Sequence, residues 1–150
     1  MGYTHYFSQS RSFSNDEWNR VKDGLRNIVR QCIGEGIDLQ FEYDDEREPE
    51  ISDTMIRFNG VDDMGHETFI VCKDVPTHQA WEDHTKPVFQ FCKTARKPYD
   101  LAVCLSLLWI QSVAPNVLQI ASDGGNAEWN PVRQVYQNLF GEKPPKIDVE

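Results

Sequence analysis

Apolar residues recur along this chain in two patterns, one typical of strands and one typical of helices. Alternation and short apolar runs predict six strands, at 2–7, 37–43, 55–58, 67–73, 88–92 and 117–121. Spacings of three and four, with Trp18 and Trp129 on the inward faces, predict helices at 15–33 and 127–140. The segment 99–113 is apolar nearly all round, which indicates a helix that is buried on several sides.

The order of these elements, β-α-β-β-β-β-α-β-α, indicates the fold class. Consecutive strands without intervening helices favour an antiparallel or mixed sheet, here of about six strands with three helices packed on it. We therefore predict an α+β fold. A chain of 150 residues can build one core without metal or disulfide support, so we expect a single domain over 1–140 and a flexible tail over 141–150.

The charge and composition of the chain limit the classes of molecule that we expect it to bind. The formal net charge of −9 argues against binding to duplex DNA, which needs a basic face, and against an anionic membrane surface. The longest apolar run is too short to span a bilayer and the first residues lack a signal-peptide pattern, so we expect a cytoplasmic protein. The four cysteines are far apart in apolar contexts, which predicts reduced core residues, with no metal site and no cofactor.

A basic turn at 93–97 stands out in this acidic chain, because it carries three cations between a predicted strand and the helix at 99–113. Cationic side chains donate charge-assisted hydrogen bonds, and the first amides of a helix are unpaired, so the turn predicts a site for an anion. The side chains expected to bind it are Lys93, Thr94, Arg96, Lys97 and Tyr99. The alternative is that the cations pair with surface carboxylates, since the segment lacks the glycines of a P-loop.

A second turn, at 122–126, also follows a strand and precedes a helix. Its glycines would let backbone amides form a concave anion site with Ser122 and Asp123, although an ordinary capped glycine turn is the alternative. If the strands before the two turns are neighbours, the turns meet at one edge of the sheet, where ligands commonly bind. Tyr3 and His5, on one face of the first strand, would stack on a base. We therefore predict non-catalytic binding of a small phosphate-bearing ligand, in particular a nucleotide.

Two other functions stay open on the residues alone. A small phosphoesterase or transferase would use His5, His66 or Asp123, but two-histidine chemistry needs two His-x-Thr strings and the chain has one, at 66–68. A protein-interaction or inhibitor factor would present the acidic run at 38–53 to a basic surface of a host protein. A homo-oligomer is compatible with each of these functions.

Five short strings are distributed over most of the chain: GYTHYF at 2–7, FNG at 58–60, ETF at 67–69, CKTARKPYD at 92–100 and SDG at 122–124. In this combination the chain resembles a compact member of an uncharacterised family of short proteins from bacteria, phages and large DNA viruses. The resemblance supplies no catalytic residues. It implies a phage or viral origin, and in a phage setting a nucleotide-binding protein of this kind would sequester a host signalling nucleotide as an anti-defence factor.

Overall fold

The computed structural model describes residues 2–149, which form seven strands and three α-helices. In chain order these are β1 (Thr4–Gln9), α1 (Asn15–Gly34), β2 (Leu39–Gln40), β3 (Glu50–Ile51), β4 (Met55–Gly60), β5 (Phe69–Cys72), β6 (Phe91–Lys93), α2 (Asp100–Val113), β7 (Leu118–Ser122) and α3 (Asn126–Phe140). A 3₁₀ turn, Asp62–Met64, follows β4. The predicted α+β class and its three helices are confirmed.

The strands form two antiparallel sheets, whereas the sequence predicts one sheet of about six strands. In the first sheet β1 is central, with β6 on one side and β7 on the other. In the second sheet β4 pairs with β5 and with the short strands β2 and β3. The strand predicted at 37–43 is reduced to β2 because the chain turns back at Asp44, whose φ is 64°, and leaves Tyr43 exposed.

Helix α2 occupies the core, where it packs against α1, α3 and β7. It is buried on nearly all sides, as its apolar composition predicts. Its Trp109 approaches α1 at Gly24, where a Cβ atom would lie 2.0 Å from Nε1 of the indole, so the close contact requires glycine. None of the helices within residues 2–149 combines the length and the apolar character that crossing a bilayer requires.

The segment after α3, predicted as a flexible tail, contains no helix or strand as far as residue 149. Gly141 ends α3 in the left-handed conformation, with a φ of 68°, which favours glycine. Beyond it, Ile147 and Val149 are partly buried against the core. The hydrophobic residues of this segment therefore contribute packing to the domain.

Candidate functional site

The register of the first sheet brings the two predicted turns to the same end of β1. Lys93 at the end of β6 lies opposite Thr4, and Ser122 at the end of β7 lies opposite His5. The two strands are not neighbours, because β1 lies between them. The turns that follow them therefore flank the start of β1, one on each side.

His5 lies at the centre of a buried polar cluster that joins β1, β7 and α2. Its side chain is fully buried. Nδ1 of the ring lies 2.8 Å from Oγ of Ser122, and Nε2 lies 2.6 Å from Oδ1 of Asp100, the first residue of α2. The rings of Tyr3 and Trp129 pack edge-to-face against the imidazole, with centroid distances of 5.1 and 5.4 Å.

Ser122 fixes the positions of the protons in this cluster. Its Oγ accepts a hydrogen bond from the amide of Gly124 at 2.9 Å and another from Nε1 of Trp129 at 3.1 Å. Both lone pairs of the hydroxyl are then used, so its own proton is donated to Nδ1 of His5. We therefore assign the neutral tautomer in which His5 carries its proton on Nε2 and donates it to Asp100.

Asp100 is the final acceptor of this chain of hydrogen bonds. Besides His5, the hydroxyl of Thr94 donates to Oδ1 at 2.5 Å and the thiol of Cys104 donates to Oδ2 at 3.5 Å. Burial raises the pKa of the Asp100 carboxyl, but the hydrogen bonds from His5, Thr94 and Cys104 outweigh burial and bring the pKa below its usual value. The group is therefore a carboxylate whose charge is held by three donors.

The cluster also contains three metal-ligand side chains, since donor atoms of His5, Asp100 and Cys104 all lie within 4.8 Å of one another. A metal ion would need the lone pair of Nε2 of His5, which binds a proton in the assigned tautomer. It would also need the Cys104 thiolate, but burial and the adjacent Asp100 raise the pKa of that thiol well above its usual value. These residues fit a hydrogen-bonded network better than a metal site.

The order hydroxyl, imidazole, carboxylate is that of a serine-hydrolase triad, but the surroundings do not suit catalysis. Oγ of Ser122 already accepts two N–H bonds, and His5 has no exposed surface through which to protonate a leaving group. The other histidine considered from the sequence, His66, is exposed. Its main-chain carbonyl accepts a hydrogen bond from the Asn59 side chain, and its amide donates one to the same side chain. The two-histidine arrangement of a phosphoesterase is therefore not formed by His5 and His66.

The basic turn has an unusual backbone. Ala95 and Arg96 both have left-handed φ values, 52° and 59°, and the amide of Lys97 donates to the carbonyl of Thr94 at 3.0 Å. Two consecutive non-glycine residues in this region cost roughly 1–2 kcal/mol each. The turn places the Arg96 guanidinium 4.0 Å from the centre of the Tyr3 ring and 3.6 Å from a Glu128 carboxylate oxygen.

The structure separates the predicted ligand-binding residues into two groups. Lys93, Arg96 and Asp123 are exposed and Lys97 is partly exposed. The others lie in the core or in the buried cluster and contact protein atoms: Tyr3, His5, Thr94, Tyr99 and Ser122.

Three of the predicted roles are corrected by this separation. Tyr3 and His5 do not stack on a base, because Arg96 and Trp129 already pack against their rings. Thr94 does not bind an anion, because its buried hydroxyl is donated to Asp100. Tyr99 does not orient a ligand, because it is fully buried and its hydroxyl donates to the carbonyl of Glu67 at 2.5 Å.

The sequence prediction missed an aromatic face on the outer side of the first sheet. Tyr6 lies directly opposite Phe91 in the β1–β6 pair, and Phe89 stacks on Tyr6 with a centroid distance of 6.0 Å. Phe89 and Phe91 are 54% and 53% exposed. The alternation of side chains along a strand could have indicated this face. If Val88 and Cys92 point into the core, Phe89, Phe91 and Lys93 must share the opposite side.

Known proteins give no further guide to these residues. Comparisons of the chain with protein-family models, with curated proteins and with solved structures gave no match. The function has to be inferred from the contacts, exposure and charge of the residues described above.

Proposed function

We propose that this protein binds a nucleotide-type ligand on the outer face of its first sheet and catalyses no reaction on it. The aromatic face, formed by Tyr6, Phe89 and Phe91, would stack on the base, and Lys93 would bind phosphate. This keeps the ligand class predicted from the sequence and moves the base from Tyr3 and His5 to exposed rings. In a phage setting such binding would sequester a nucleotide of the host.

The observation that carries the proposal is the exposure of aromatic rings in register on an open sheet surface. Large hydrophobic side chains that are more than half exposed, as Phe89 and Phe91 are, leave apolar area in water, and a contiguous patch of this kind commonly marks a binding site. Tyr6 adds a third ring, and its hydroxyl is held by Oδ1 of Asp123 at 3.1 Å. Aromatic side chains have few rotatable bonds, so stacking a planar ligand on them costs little side-chain entropy.

The cations next to this face supply phosphate contacts. Lys93 follows Phe91 by two residues on β6 and therefore lies on the same side of the sheet, about 7 Å further along the strand. The ion pairs within residues 2–149 include neither Lys93 nor Lys97, so both ammonium groups are free to bind an anion. Arg96 is held between Tyr3 and Glu128, which makes it a secondary contact.

The buried cluster supports binding without turnover. Within the cluster, the hydroxyl of Ser122 is paired with His5 and the imidazole of His5 is paired with Asp100, so neither is free to act as a nucleophile or a base. The hydrogen bonds of the cluster connect the start of β1 to β7 and α2. They hold in place the sheet that carries the aromatic face.

The proposal is tested by isothermal titration calorimetry with a panel of nucleotides, cyclic dinucleotides, ADP-ribose and inorganic phosphate. Phe91→Ala should weaken nucleotide binding by about 1–3 kcal/mol, the usual contribution of one aromatic ring stacked on a base. Lys93→Ala should weaken binding of the phosphorylated ligand more than that of the corresponding nucleoside. Tyr43→Ala and Lys143→Ala are matched controls, because both residues are exposed away from the first sheet.

Two results would contradict the proposal. If no member of the panel binds, the aromatic face is not a nucleotide site, and the acidic segment between β2 and β3 becomes the first candidate for a protein partner. If product accumulates with any phosphate ester and disappears in Ser122→Ala, the protein is an enzyme that uses the buried cluster.

A further inference from the structure

If the protein binds nucleotides on its aromatic face, as proposed above, the shape of that face bears on the size of the ligand. Sites for a single small molecule are concave and enclose most of its surface. The aromatic face is instead part of an open sheet surface. Two cavities of about 550 Å³ lie elsewhere, one lined by the loop residues His78 and His84 and the other between α1 and α3, where Gln31 and Leu139 lie.

The aromatic face offers room for more than one base. Tyr6 lies on β1, Phe91 on β6 and Phe89 just before β6, with centroid distances of 6.0 Å between Tyr6 and Phe89 and 5.8 Å between Phe89 and Phe91. The angles between the ring planes are 28° and 36°, so successive rings are far from perpendicular. Open sheets with exposed aromatic residues stack two or three unpaired bases of a single strand in just this manner.

The charges around the face indicate where a nucleic acid backbone would pass. Asp123 lies on the β7 side, where its carboxylate accepts hydrogen bonds from the Tyr6 hydroxyl and the Thr4 amide. Lys93 lies on the opposite, β6 side, and Lys97 is in the turn that follows. The Glu67 carboxylate also lies on the β6 side, where it accepts the main-chain amide of Lys93 at 2.7 Å. Phosphates are therefore favoured at the ammonium groups of Lys93 and Lys97 and disfavoured beside Asp123 and Glu67.

We infer that the ligand is single-stranded nucleic acid, with two or three unpaired bases stacked on Tyr6, Phe89 and Phe91 and the backbone following β6 past Lys93. A duplex does not fit this surface, because its bases are paired and stacked inside the helix and its phosphates require an extended basic face. In a chain with a net charge of −9, stacking rather than charge supplies most of the affinity.

The test is fluorescence anisotropy with labelled oligothymidylates of increasing length, up to about eight nucleotides, which lies within the usual span of single-strand sites. Unlabelled thymidine monophosphate and a duplex of the same length serve as competitors.

Affinity should rise steeply over the first two or three nucleotides. Phe89→Ala and Phe91→Ala should each weaken binding by roughly 5-fold or more, whereas Tyr43→Ala should leave it unchanged. The logarithm of the association constant should fall with the logarithm of salt concentration with a slope no steeper than about −2, as expected for at most three phosphate contacts.

The outcomes separate this inference from the proposed function. If the monophosphate competes as well as the octamer on a molar basis, nucleotide binding stands and the single-strand inference is overturned. If neither binds, both fail. Tighter binding to the duplex, or oligomer binding that is unaffected in Phe89→Ala and Phe91→Ala, also overturns the inference. Melting curves of the variants confirm that each is folded, which is expected because the replaced rings are exposed.

Discussion

Oγ of Ser122 and Nδ1 of His5 lie 2.8 Å apart between two strands whose residues are separated by more than one hundred positions in the sequence. The bond links β7 to β1, and the other ring nitrogen links β1 to α2. A fully buried imidazole with both nitrogens paired is a strong constraint on the relative positions of three elements, because each unpaired group would cost desolvation energy. We expect the stability of the protein, and its dependence on pH, to reflect these hydrogen bonds.

Loss of the Ser122 hydroxyl should destabilise the protein. Ser122→Ala leaves Nδ1 of His5, the Gly124 amide and Nε1 of Trp129 without their common partner. We expect the free energy of unfolding to fall by about 2 kcal/mol, measured by urea denaturation. Ser10→Ala, at an exposed position outside the cluster, is the control and should change stability by less than about 0.5 kcal/mol. Equal losses of unfolding free energy in the two variants would show that the Ser122 hydroxyl stabilises the protein no more than an exposed hydroxyl does.

Acid should weaken the same cluster through Asp100. Because hydrogen bonds bring the pKa of its carboxyl below the usual value, the stabilisation is complete above the unfolded-state pKa of about 3.9 and is lost as the pH falls through the lower, folded-state pKa. Asp100→Asn should therefore be less stable than the parent at pH 7, by roughly 2 kcal/mol. The difference in unfolding free energy between the two proteins should shrink below about pH 4. A difference that stays constant from pH 7 to pH 2 would contradict this account.

A side chain at Gly124 should disturb the packing beside the cluster. A Cβ atom there would lie 2.0 Å from the hydroxyl oxygen of Tyr3, and Tyr3 is itself buried. Gly124→Ala should lower the melting temperature, with a loss of about 1–3 kcal/mol from overpacking. The matched control is Gly34→Ala at the end of α1, where a Cβ meets no atom within 4 Å and the gain in helix propensity should stabilise the protein slightly. If both substitutions stabilise the protein, Tyr3 moves away at no cost.

The cysteines should differ in reactivity according to their burial. Burial raises the pKa of Cys32 and of Cys92 to about 12, and burial together with Asp100 raises that of Cys104 well above its usual value. Cys72 is partly exposed, although burial raises its pKa too. An aromatic disulfide reagent at pH 8 should therefore react slowly with one thiol in the native protein and with all four of them after denaturation. Rapid reaction of more than one native thiol would show that the core opens readily.

Local patterns in the sequence were sufficient for some of these features. The alternation in β1 predicts that Tyr3, His5 and Phe7 share a face, and all three are buried. The spacing of apolar residues predicts a helix at 15–33, and α1 runs from Asn15 to Gly34. These features depend on residues close together in the chain, where side-chain spacing and backbone geometry determine the outcome.

Other features depend on pairing between distant segments and could not be predicted in this way. His5 and Asp100 are 95 positions apart, so no local spacing indicates that Asp100 is the partner of the imidazole. Alternation shows that Phe91 and Cys92 point to opposite sides, but only the position of the helices determines which side is open. In the basic turn Lys93 is exposed, but Thr94 points inward because Asp100 accepts its hydroxyl.

The most direct test of the aromatic face is to locate a bound single strand by photo-cross-linking. A short oligonucleotide with 5-bromouracil bases is irradiated with the protein, and the modified residues are identified by mass spectrometry. We expect cross-links at Tyr6, Phe89 or Phe91, which disappear when excess unmodified single strand is added. Cross-links confined to Trp81 or Tyr43, which are also exposed but lie outside the aromatic face, would contradict binding of a single strand on the aromatic face.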